Sequence, residues 1–506
     1  MPLQLEITPE FKEAFDLVCN SREHLFITGN AGTGKSTLLD YCRKNCRKNL
    51  VVVAPTGVAA LNVQGQTIHR FFGFPVNVTP EKIKNFQILP RAKRIYKQLQ
   101  TLIIDEASML RADVLDCIDA FLRLYGPGED MAFGGVQLVL VGDLYQLPPV
   151  VSSAERSFFV GKYDSPYFFS AEVCRGINLR VVELNKIYRQ KDNAFIELLG
   201  RIRHNIASAE DIRTLNSRLH APLPDDDFCI SLTTTNKLAD DINAAGLARL
   251  DSPVYISNAV IDGSFKEDSF PAAEALELKT GAQIMFLNND IKGRWVNGTL
   301  GAIEEIKSGP EKIRFLRVRL QNSQKLVEVF PYTWEIYKYA LLGKEIVSEV
   351  AGSFTQFPVR LAWAVTIHKS QGKTFDRLRL NVGGGTFAAG QLYVALSRCT
   401  SFSGLSLDAP VSAAHILTDE RIADFMSRCA GLKGLSSADK IRLLQKAAFR
   451  RQKLEISYRK TTGELSRRVI IPLRVKDENI QAFCVQRRQQ RSFNIGRIEM
   501  LKTFVE

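Results

Sequence analysis

At 506 residues, 45% apolar and 24% charged, the chain has the make-up of ordinary globular material and is long enough for about two to four domains with sizeable cores. No run approaches the roughly 18 consecutive apolar residues of a membrane-spanning helix, and nine scattered cysteines with six dispersed histidines give no zinc-ligand spacing, only reduced thiols. Net charge is +13, but 17 Lys/Arg against 6 Asp/Glu fall between Lys440 and Glu506, so most of the excess sits at the C-terminal end. That polarity suits either a unit addressed to phosphate backbones or a solvated basic face. An apolar-patterned core starts within about ten residues, which leaves no room for a signal or transit peptide and predicts a cytoplasmic protein.

Leu25-Phe26-Ile27 reads as a short buried strand, and Thr37-Leu38-Leu39 opens an apolar-periodic segment. Between them lies Gly29-Asn30-Ala31-Gly32-Thr33-Gly34-Lys35-Ser36. Strand, glycine loop and helix is the order a phosphate cradle needs. Gly29, Gly32 and Gly34 let backbone N–H groups turn inward around a polyphosphate, and the helix N-terminus adds partial positive charge. Lys35 can reach the β/γ-phosphates as a point charge, Ser36 can offer its hydroxyl to Mg²⁺, and Thr33 and Thr37 complete the nucleotide-binding set. This stretch predicts a nucleoside-triphosphate site.

Further along, Thr101-Leu102-Ile103-Ile104 ends abruptly in Asp105-Glu106. A buried parallel strand delivers side chains at its C-terminal end, where open α/β sheets bind ligands. Asp105 is placed to hold Mg²⁺, and Glu106 is the natural general base for the attacking water.

The alternation of strand-like runs with helical segments predicts an α/β protein with two parallel sheets. The first set is Leu25–Thr28, Val51–Ala54, Leu102–Ile104 and Leu138–Val141; the second is Val181–Leu184, Cys229–Leu232, Leu361–Thr366 and Leu378–Val382. Between about 281 and 352, Ile313–Leu320 and Lys325–Phe330 alternate with period two, which predicts a small antiparallel β-barrel inserted into the second domain. Phe74–Leu99 is basic, poor in strand signals, and reads as an insertion on the first domain. The expected division is 1–185, 186–430 and a basic unit over 436–506.

Other stretches narrow the class. Phe133-Gly134-Gly135-Val136-Gln137-Leu138 precedes Gly142-Asp143-Leu144-Tyr145-Gln146-Leu147-Pro148-Pro149-Val150. Ala54–Ala60 and Gly65–Gly73 lie between the two nucleotide motifs, and Leu184-Asn185-Lys186-Ile187-Tyr188-Arg189-Gln190 opens the second half. Ala364–Asp376, with Thr366-Ile367-His368-Lys369-Ser370-Gln371-Gly372, and Gln391–Cys399, with Ala395-Leu396-Ser397-Arg398, close it. In this order the motifs resemble those of superfamily-one DNA helicases, in the branch of the petite-integration-frequency (Pif) helicases and RecD, over roughly residues 5–425. The resemblance implies two RecA-like motor domains and an ATP-driven, Mg²⁺-dependent motor moving 5′→3′ on single-stranded DNA and separating forked duplex. By the same resemblance Gln146 is the γ-phosphate sensor, and Arg189 and Arg398 are arginine fingers whose planar forks meet the spreading charge of phosphoryl transfer. Pro55, Thr56, His69, Thr366, His368, Lys369 and Ser370 fall in its strand-gripping loops, with Lys373 a further phosphate contact. For His69 and His368 a packed, hydrogen-bonded histidine is the competing reading. A bacterial-type, nucleoid-associated monomer on DNA is expected, with four-stranded guanine structures and RNA–DNA hybrids open as preferred substrates. One departure stands out: the family's adenine-reading glutamine is replaced by Phe11, with Gln4 the nearest substitute.

At the C-terminal end, Ser437 reads as the N-cap of a helix to about Arg451, followed by short strands at Leu454–Arg459, Arg468–Pro472, Ala482–Val485 and Arg491–Ile495. The spacing of Ile456, Tyr458, Gly463, Pro472, Ala482-Phe483-Cys484, Arg491 and Ile498 resembles a WYL-type domain, although the naming Trp-Tyr-Leu tripeptide is missing. That implies a small β-barrel binding a ligand or single strand through Arg468, Arg487, Arg488 and Arg491. Two other functional classes stay open: a translocase that strips proteins from DNA, and a non-enzymatic ATP-gated clamp, against which Asp105-Glu106 and Gln146 argue.

Overall fold

The computed structural model describes residues 6–504 apart from 76–77, 89, 152–154, 156–158, 160, 191, 224–227, 264, 266, 268–269, 309–312, 322, 383–384, 430–431, 434–436, 461 and 477, so Gln4 and the expected boundary residue 436 lie outside the described residues. In the first parallel-sheet unit six strands are all parallel: β1 (His24–Gly29), β2 (Leu50–Ala54), β3 (Gln66–Thr67), β4 (Thr101–Ile104), β5 (Gln137–Val141) and β6 (Leu179–Leu184). Their order is β3-β2-β4-β5-β1-β6. Alternate residues feed two apolar layers. Leu25, Ile27, Val52, Ile103 and Val139 pack under helices α1 (Pro9–Asn20) and α2 (Lys35–Asn45). Phe26, Val51, Val53, Leu102 and Leu138 join the larger core with helix Ala112–Tyr125 on the other face. Because β5 lies between β4 and β1, the loops leaving these strands meet at one edge, where parallel sheets place their ligands.

Val181–Leu184, grouped by pattern with the second sheet, instead forms the edge of the first, in register with β1 from His24↔Leu179 to Gly29↔Leu184. Periodicity identifies a strand but not its sheet. The second sheet has four parallel strands in the order Ala364–Thr366, Ile230–Thr233, Leu378–Asn381, Leu405–Leu407, the last unread in the sequence. The expected single strand Leu361–Thr366 is two strands. Val359–Leu361 runs antiparallel to Gln283–Phe286, and Ala364–Thr366 then runs parallel to Ile230–Thr233.

The insertion is larger than 281–352 and, among the described residues, no strand pairing closes it into a barrel. It comprises a five-stranded antiparallel sheet, a three-stranded one and a two-stranded ribbon, spanning Tyr255 to Leu361. Its long hairpin, Tyr332–Leu342 with Glu345–Gln356, reaches the first parallel sheet. There Tyr339 Oη donates to Val52 O at 3.1 Å and accepts from Val52 N at 3.1 Å, on the edge of β2 that two-residue β3 leaves uncovered. Beside it Asn49 donates to Lys344 O at 2.9 Å and accepts from Ile346 N at 3.2 Å. The segment Phe74–Leu99 holds helices Pro80–Ile83 and Pro90–Gln98, and Phe72, Phe74, Phe86 and Tyr96 crowd around Phe121.

Helix Glu420–Cys429 returns to the first sheet, where Phe425 stacks on Phe169 at 4.5 Å and meets Phe168 edge-on. Beyond it, helix Ser437–Phe449 packs on a six-stranded antiparallel sheet with a core of Leu444, Ile456, Ile470, Ile480, Phe493 and Ile498. This sheet too is open among the described residues: Leu432–Lys433 and Gln489–Asn494 are its edges. Exposed Gln489, Gln490 and Arg491 on the latter make a polar edge of the kind that resists further pairing.

Candidate functional site: a nucleotide cleft between two parallel sheets

The phosphate loop leaves β1 in a conformation that glycine alone tolerates at two points. Gly29 has φ 149°, and a Cβ there would lie 2.4 Å from Leu184 O; Gly32 has φ 83°, and a Cβ would lie 2.5 Å from the Arg189 Cβ. Gly34 then caps α2. Thr33 is buried, its Oγ1 donating to Asn30 O at 2.9 Å, whereas Ser36 and Thr37 are exposed on the first turn. Lys35 Nζ donates to Gly29 O at 2.9 Å and Asn30 O at 3.0 Å, so its charge folds over the loop. Burial lowers its pKa, against the opposing pull of Asp143 and Glu106.

Asp105 and Glu106 leave β4 side by side, and Glu106 takes a left-handed backbone, φ 51°. Burial pushes both carboxyls above their ordinary range, and the charge of Asp105 raises Glu106 further. Gln371, from the loop after strand Ala364–Thr366 of the second sheet, donates through Nε2 to Glu106 Oε2 at 3.0 Å and to Gln146 Oε1 at 3.3 Å. Asp143, at the end of β5, is buried and accepts from Arg203 Nη2 at 2.9 Å. Burial works to raise its pKa, but Arg203 and Lys35 outweigh burial and hold it below the usual carboxylate value. Tyr393 Oη accepts from Ala31 N of the phosphate loop at 3.2 Å and donates to Asp143 at 3.4 Å.

Arg189 lies against Gly32, its guanidinium held by Ser397 O at 3.2 Å and Gly372 O at 3.4 Å. Arg398 is only 1% exposed and donates to Val394 O at 2.9 Å, Ser397 Oγ at 2.8 Å and Lys373 O at 3.3 Å. Burial lowers the pKa of both, Arg189 to about 10, and Arg398 is lowered further by Arg189. Both hydrogen-bond neutral acceptors, not carboxylates, and Glu106 and Asp143 offset the charge of Arg398 only in part. Together with Lys35, the two arginines make the cleft chemically suited to a polyphosphate.

The PIF1-like helicase family profile matches residues 6–213, and the WYL domain profile matches 439–503. An ATP-dependent DNA helicase Pif1 of Bdellovibrio bacteriovorus is 31% identical over 445 residues, 85% of this chain and 94% of that one. A crystal structure of Bacteroides sp Pif1 in complex with ADP-AlF4 aligns with TM-score 0.76 and 36% identity, covering 83% of this chain and 96% of that one. Bacteroides Pif1 bound to ssDNA aligns with TM-score 0.61 and 37% identity, covering 84% and 97%. The chain belongs to the PIF1-like helicase family.

Within that family frame, the residues expected to grip the strand divide. Lys369 is exposed, and half-buried His368 stacks on the ring of Phe387, itself 64% exposed, at 6.1 Å. Pro55, Thr56 and His69 are half-buried; Thr56 Oγ1 caps helix Gly57–Asn62 by accepting from Ala59 N at 3.3 Å. Burial, and then the charge of Arg111, keep His69 below the usual histidine pKa. Thr366 is buried and accepts from Lys369 N at 3.3 Å. Ser370 is fully buried and donates to Ile367 O at 2.7 Å, so it shapes the turn and does not face a strand. Its neighbours carry the expected exposure; a short polar residue reads the same in sequence whether it caps a turn or meets a ligand. Lys373 donates to Asn297, and burial brings its pKa to about 7. Arg487, Arg488 and Arg491 are exposed at and beside the turn after Asn479–Cys484, while Arg468 is half-buried. Phe11 is buried edge-on to Tyr41 at 5.6 Å, so no amide stands at its position.

Sequence reasoning assigned no role to Gln371, Asp143 or Tyr393, although each stood inside a quoted motif. It passed over Arg203 entirely, because an arginine at the end of an amphipathic helix, Asn193–Arg203, looks like any solvated one.

Proposed function

We propose that this chain is an ATP-dependent DNA helicase that travels 5′→3′ along single-stranded DNA and opens duplex ahead of it. The observation that carries the reading is the bridge Glu106–Gln371–Gln146, in which a residue of one motor unit holds the base and the sensor of the other. With Arg189 and Arg398 supplied from the same side, the cleft is complete only when the two units meet, so hydrolysis and domain closure are linked. Glu106, kept basic by its buried setting, accepts a proton from the attacking water, and Gln146 orients that water. Ser36 and Asp105 would hold Mg²⁺, which supplies charge neutralisation at the phosphates. The arginines stabilise charge spreading on the transferred group. Single-stranded and forked DNA are the partners this reading requires, gripped through the loops around Thr56, His69, Thr366 and Lys369, with the first motor unit over 1–185, the second over 186–430 and an accessory nucleic-acid-binding unit over 436–506. The complexes of Bacteroides Pif1 with ADP-AlF4 and with ssDNA support it. The test is unwinding of matched 5′- and 3′-tailed duplexes with ATP and Mg²⁺. Strand separation confined to the 5′-tailed substrate is expected; hydrolysis without separation of either would leave a translocase.

A further inference from the structure

Three consecutive residues, Gln371, Gly372 and Lys373, hold the base, the sensor and both arginine fingers. Gln371 Nε2 donates to Glu106 Oε2 at 3.0 Å and to Gln146 Oε1 at 3.3 Å. The Gly372 carbonyl accepts from Arg189 Nη2 at 3.4 Å, and the Lys373 carbonyl accepts from Arg398 Nη1 at 3.3 Å. Where this turn sits therefore sets where the two guanidinium groups sit. A guanidinium stabilises the transferred phosphoryl group only while its fork is in place, and a displacement of about 1 Å can cost on the order of 10²-fold in rate.

The turn is fixed at both ends and loose in its middle. Before it, Ser370 donates to Ile367 O at 2.7 Å and Lys373 N donates to Ser370 O at 3.0 Å. After it, Phe375 N donates to Arg398 O at 2.9 Å and Thr400 N donates to Phe375 O at 3.1 Å. Between them Gly372 is exposed, and nothing but its chain neighbours lies within 4 Å of where a Cβ would stand. Packing does not hold this point.

The remaining anchor comes from the insertion. The half-buried Lys373 donates through Nζ to Asn297 Oδ1, in the loop 287–299. Among the described residues no carboxylate pairs with this ammonium, and the nearby charge of Arg360 repels it. The Asn297 oxygen is therefore what keeps it in place. Asn297 is itself tied down, its N–H donating to Asn289 Oδ1 at 2.8 Å, and the next N–H, of Gly298, donates to Phe286 O at 2.9 Å. A Cβ at Gly298 would lie 3.3 Å from that of Lys373, so the loop backbone also rests on the lysine stem. Phe286 ends strand Gln283–Phe286, an interior strand of the five-stranded sheet, so Asn297 moves with that sheet.

We infer that Lys373 and Asn297 are positioning residues for ATP hydrolysis, through which the insertion sets the turn that holds Arg189 and Arg398 in the cleft. This rests on the ATP-hydrolysing reading above and gives the insertion a part in it. Lys373 then serves the nucleotide side of the motor and not the strand.

The test uses the full chain as wild type, Asn297→Ala, Asn297→Asp and Lys373→Met. It reads steady-state ATP hydrolysis at saturating oligothymidylate, oligothymidylate affinity across a salt series, and amide exchange without nucleotide. Asn297→Ala and Lys373→Met should lower kcat roughly tenfold, with KM for ATP and strand affinity unchanged, because the fingers matter most where charge spreads in the transition state. Asn297→Asp keeps the accepting oxygen and should keep kcat. The Lys373 and Phe375 amides should exchange several-fold faster in Asn297→Ala than in wild type. In an Arg398→Ala background, Asn297→Ala should cost clearly less than it does alone, since its effect runs partly through that finger. Unchanged kcat in both Asn297→Ala and Lys373→Met overturns the inference. A loss that multiplies in full on Arg398→Ala overturns it too, since general weakening of the fold would do that. Turnover intact at saturating strand, with weaker strand binding and a salt slope flatter by about 0.7 in Lys373→Met, overturns it in favour of a strand contact. Should Asn297→Ala fail to fold, Lys373→Met set against Asn297→Asp makes the same comparison. A wild-type chain that hydrolyses no ATP overturns the underlying reading itself, an outcome separate from the others.

Discussion

Replacing Arg203 by Met removes a charge that two motor units share. Asp143 belongs to the first unit and Arg203 to the helix that opens the second; they meet at 2.9 Å with side chains 0% and 4% exposed. At an effective dielectric constant near 20, a pair at this separation attracts by roughly 6 kcal/mol. Methionine keeps most of the length and apolar stem of arginine, so what is lost is the partner of a buried carboxylate. Breaking such a pair costs about 3–5 kcal/mol. Asp143 has one escape, which is to take up a proton; at pH 7 that costs about 4 kcal/mol for a group whose ordinary pKa is 3.8, and this caps the loss. The expected opening of the interface is therefore easier by about 3–4 kcal/mol at pH 7. In the variant, burial, the largest influence on Asp143, is opposed only by Lys35 and Gln146, so its pKa rises and the folded state binds a proton that the unfolded state does not. Its stability then rises as pH falls from 7 towards 5, and the deficit shrinks by about 1.4 kcal/mol per pH unit. Native-state hydrogen exchange across Asn193–Arg203 and the loop after β5 reads the opening free energy directly. Asp143→Asn in the same background should recover much of the loss. A deficit below about 1 kcal/mol, or one indifferent to pH, would refute the assignment of Arg203 as the partner that keeps Asp143 charged.

Glu106→Gln should retain nucleotide and strand binding yet lose turnover by roughly 10²–10⁴-fold, measured as steady-state hydrolysis; ordinary turnover would remove Glu106 as the base. Because burial and then Asp105 raise the Glu106 pKa, wild-type hydrolysis should climb with pH through a value above the ordinary 4.5, and that acidic limb should be absent from the residual rate of Glu106→Gln. Arg398→Ala should slow hydrolysis by roughly 10³-fold or more while oligonucleotide affinity holds; the reverse pattern would place Arg398 on the strand. Tyr339→Phe leaves Val52 N and O without their partner, which should speed exchange of the Val52 amide and destabilise the docked hairpin by about 1–3 kcal/mol. Undiminished protection at Val52 would show that the hydroxyl is dispensable there. Substituting Arg487, Arg488 and Arg491 together should flatten the salt slope of single-strand binding by about 0.7 for each lost phosphate contact; an unchanged slope would make them a solvated face.

What the sequence determined by itself is local. The phosphate loop, the strand ending in Asp105-Glu106 and the alternating strands of the C-terminal unit are each spelled within about ten contiguous residues, where glycine conformation and apolar period act directly. For the same reason the glycine loop and carboxylate pair, the nucleotide half of the cleft, were legible at once. Membership of a sheet was not: Val181–Leu184 is a strand assigned to the wrong sheet, and Leu361–Thr366, read as one strand, is two, of which only Ala364–Thr366 joins the second sheet, because a period of two records burial and carries no address. Nor could alternation tell an open sheet from a barrel, which differ only in whether the edge strands meet. Tertiary structure alone decided the contacts that make the cleft one site: Gln371 on Glu106 across 265 positions, Tyr393 on Ala31 across 362, Arg203 on Asp143 across 60. Each is a polar side chain whose type is common on surfaces, and its meaning comes from the desolvation it undergoes when two distant segments close on it.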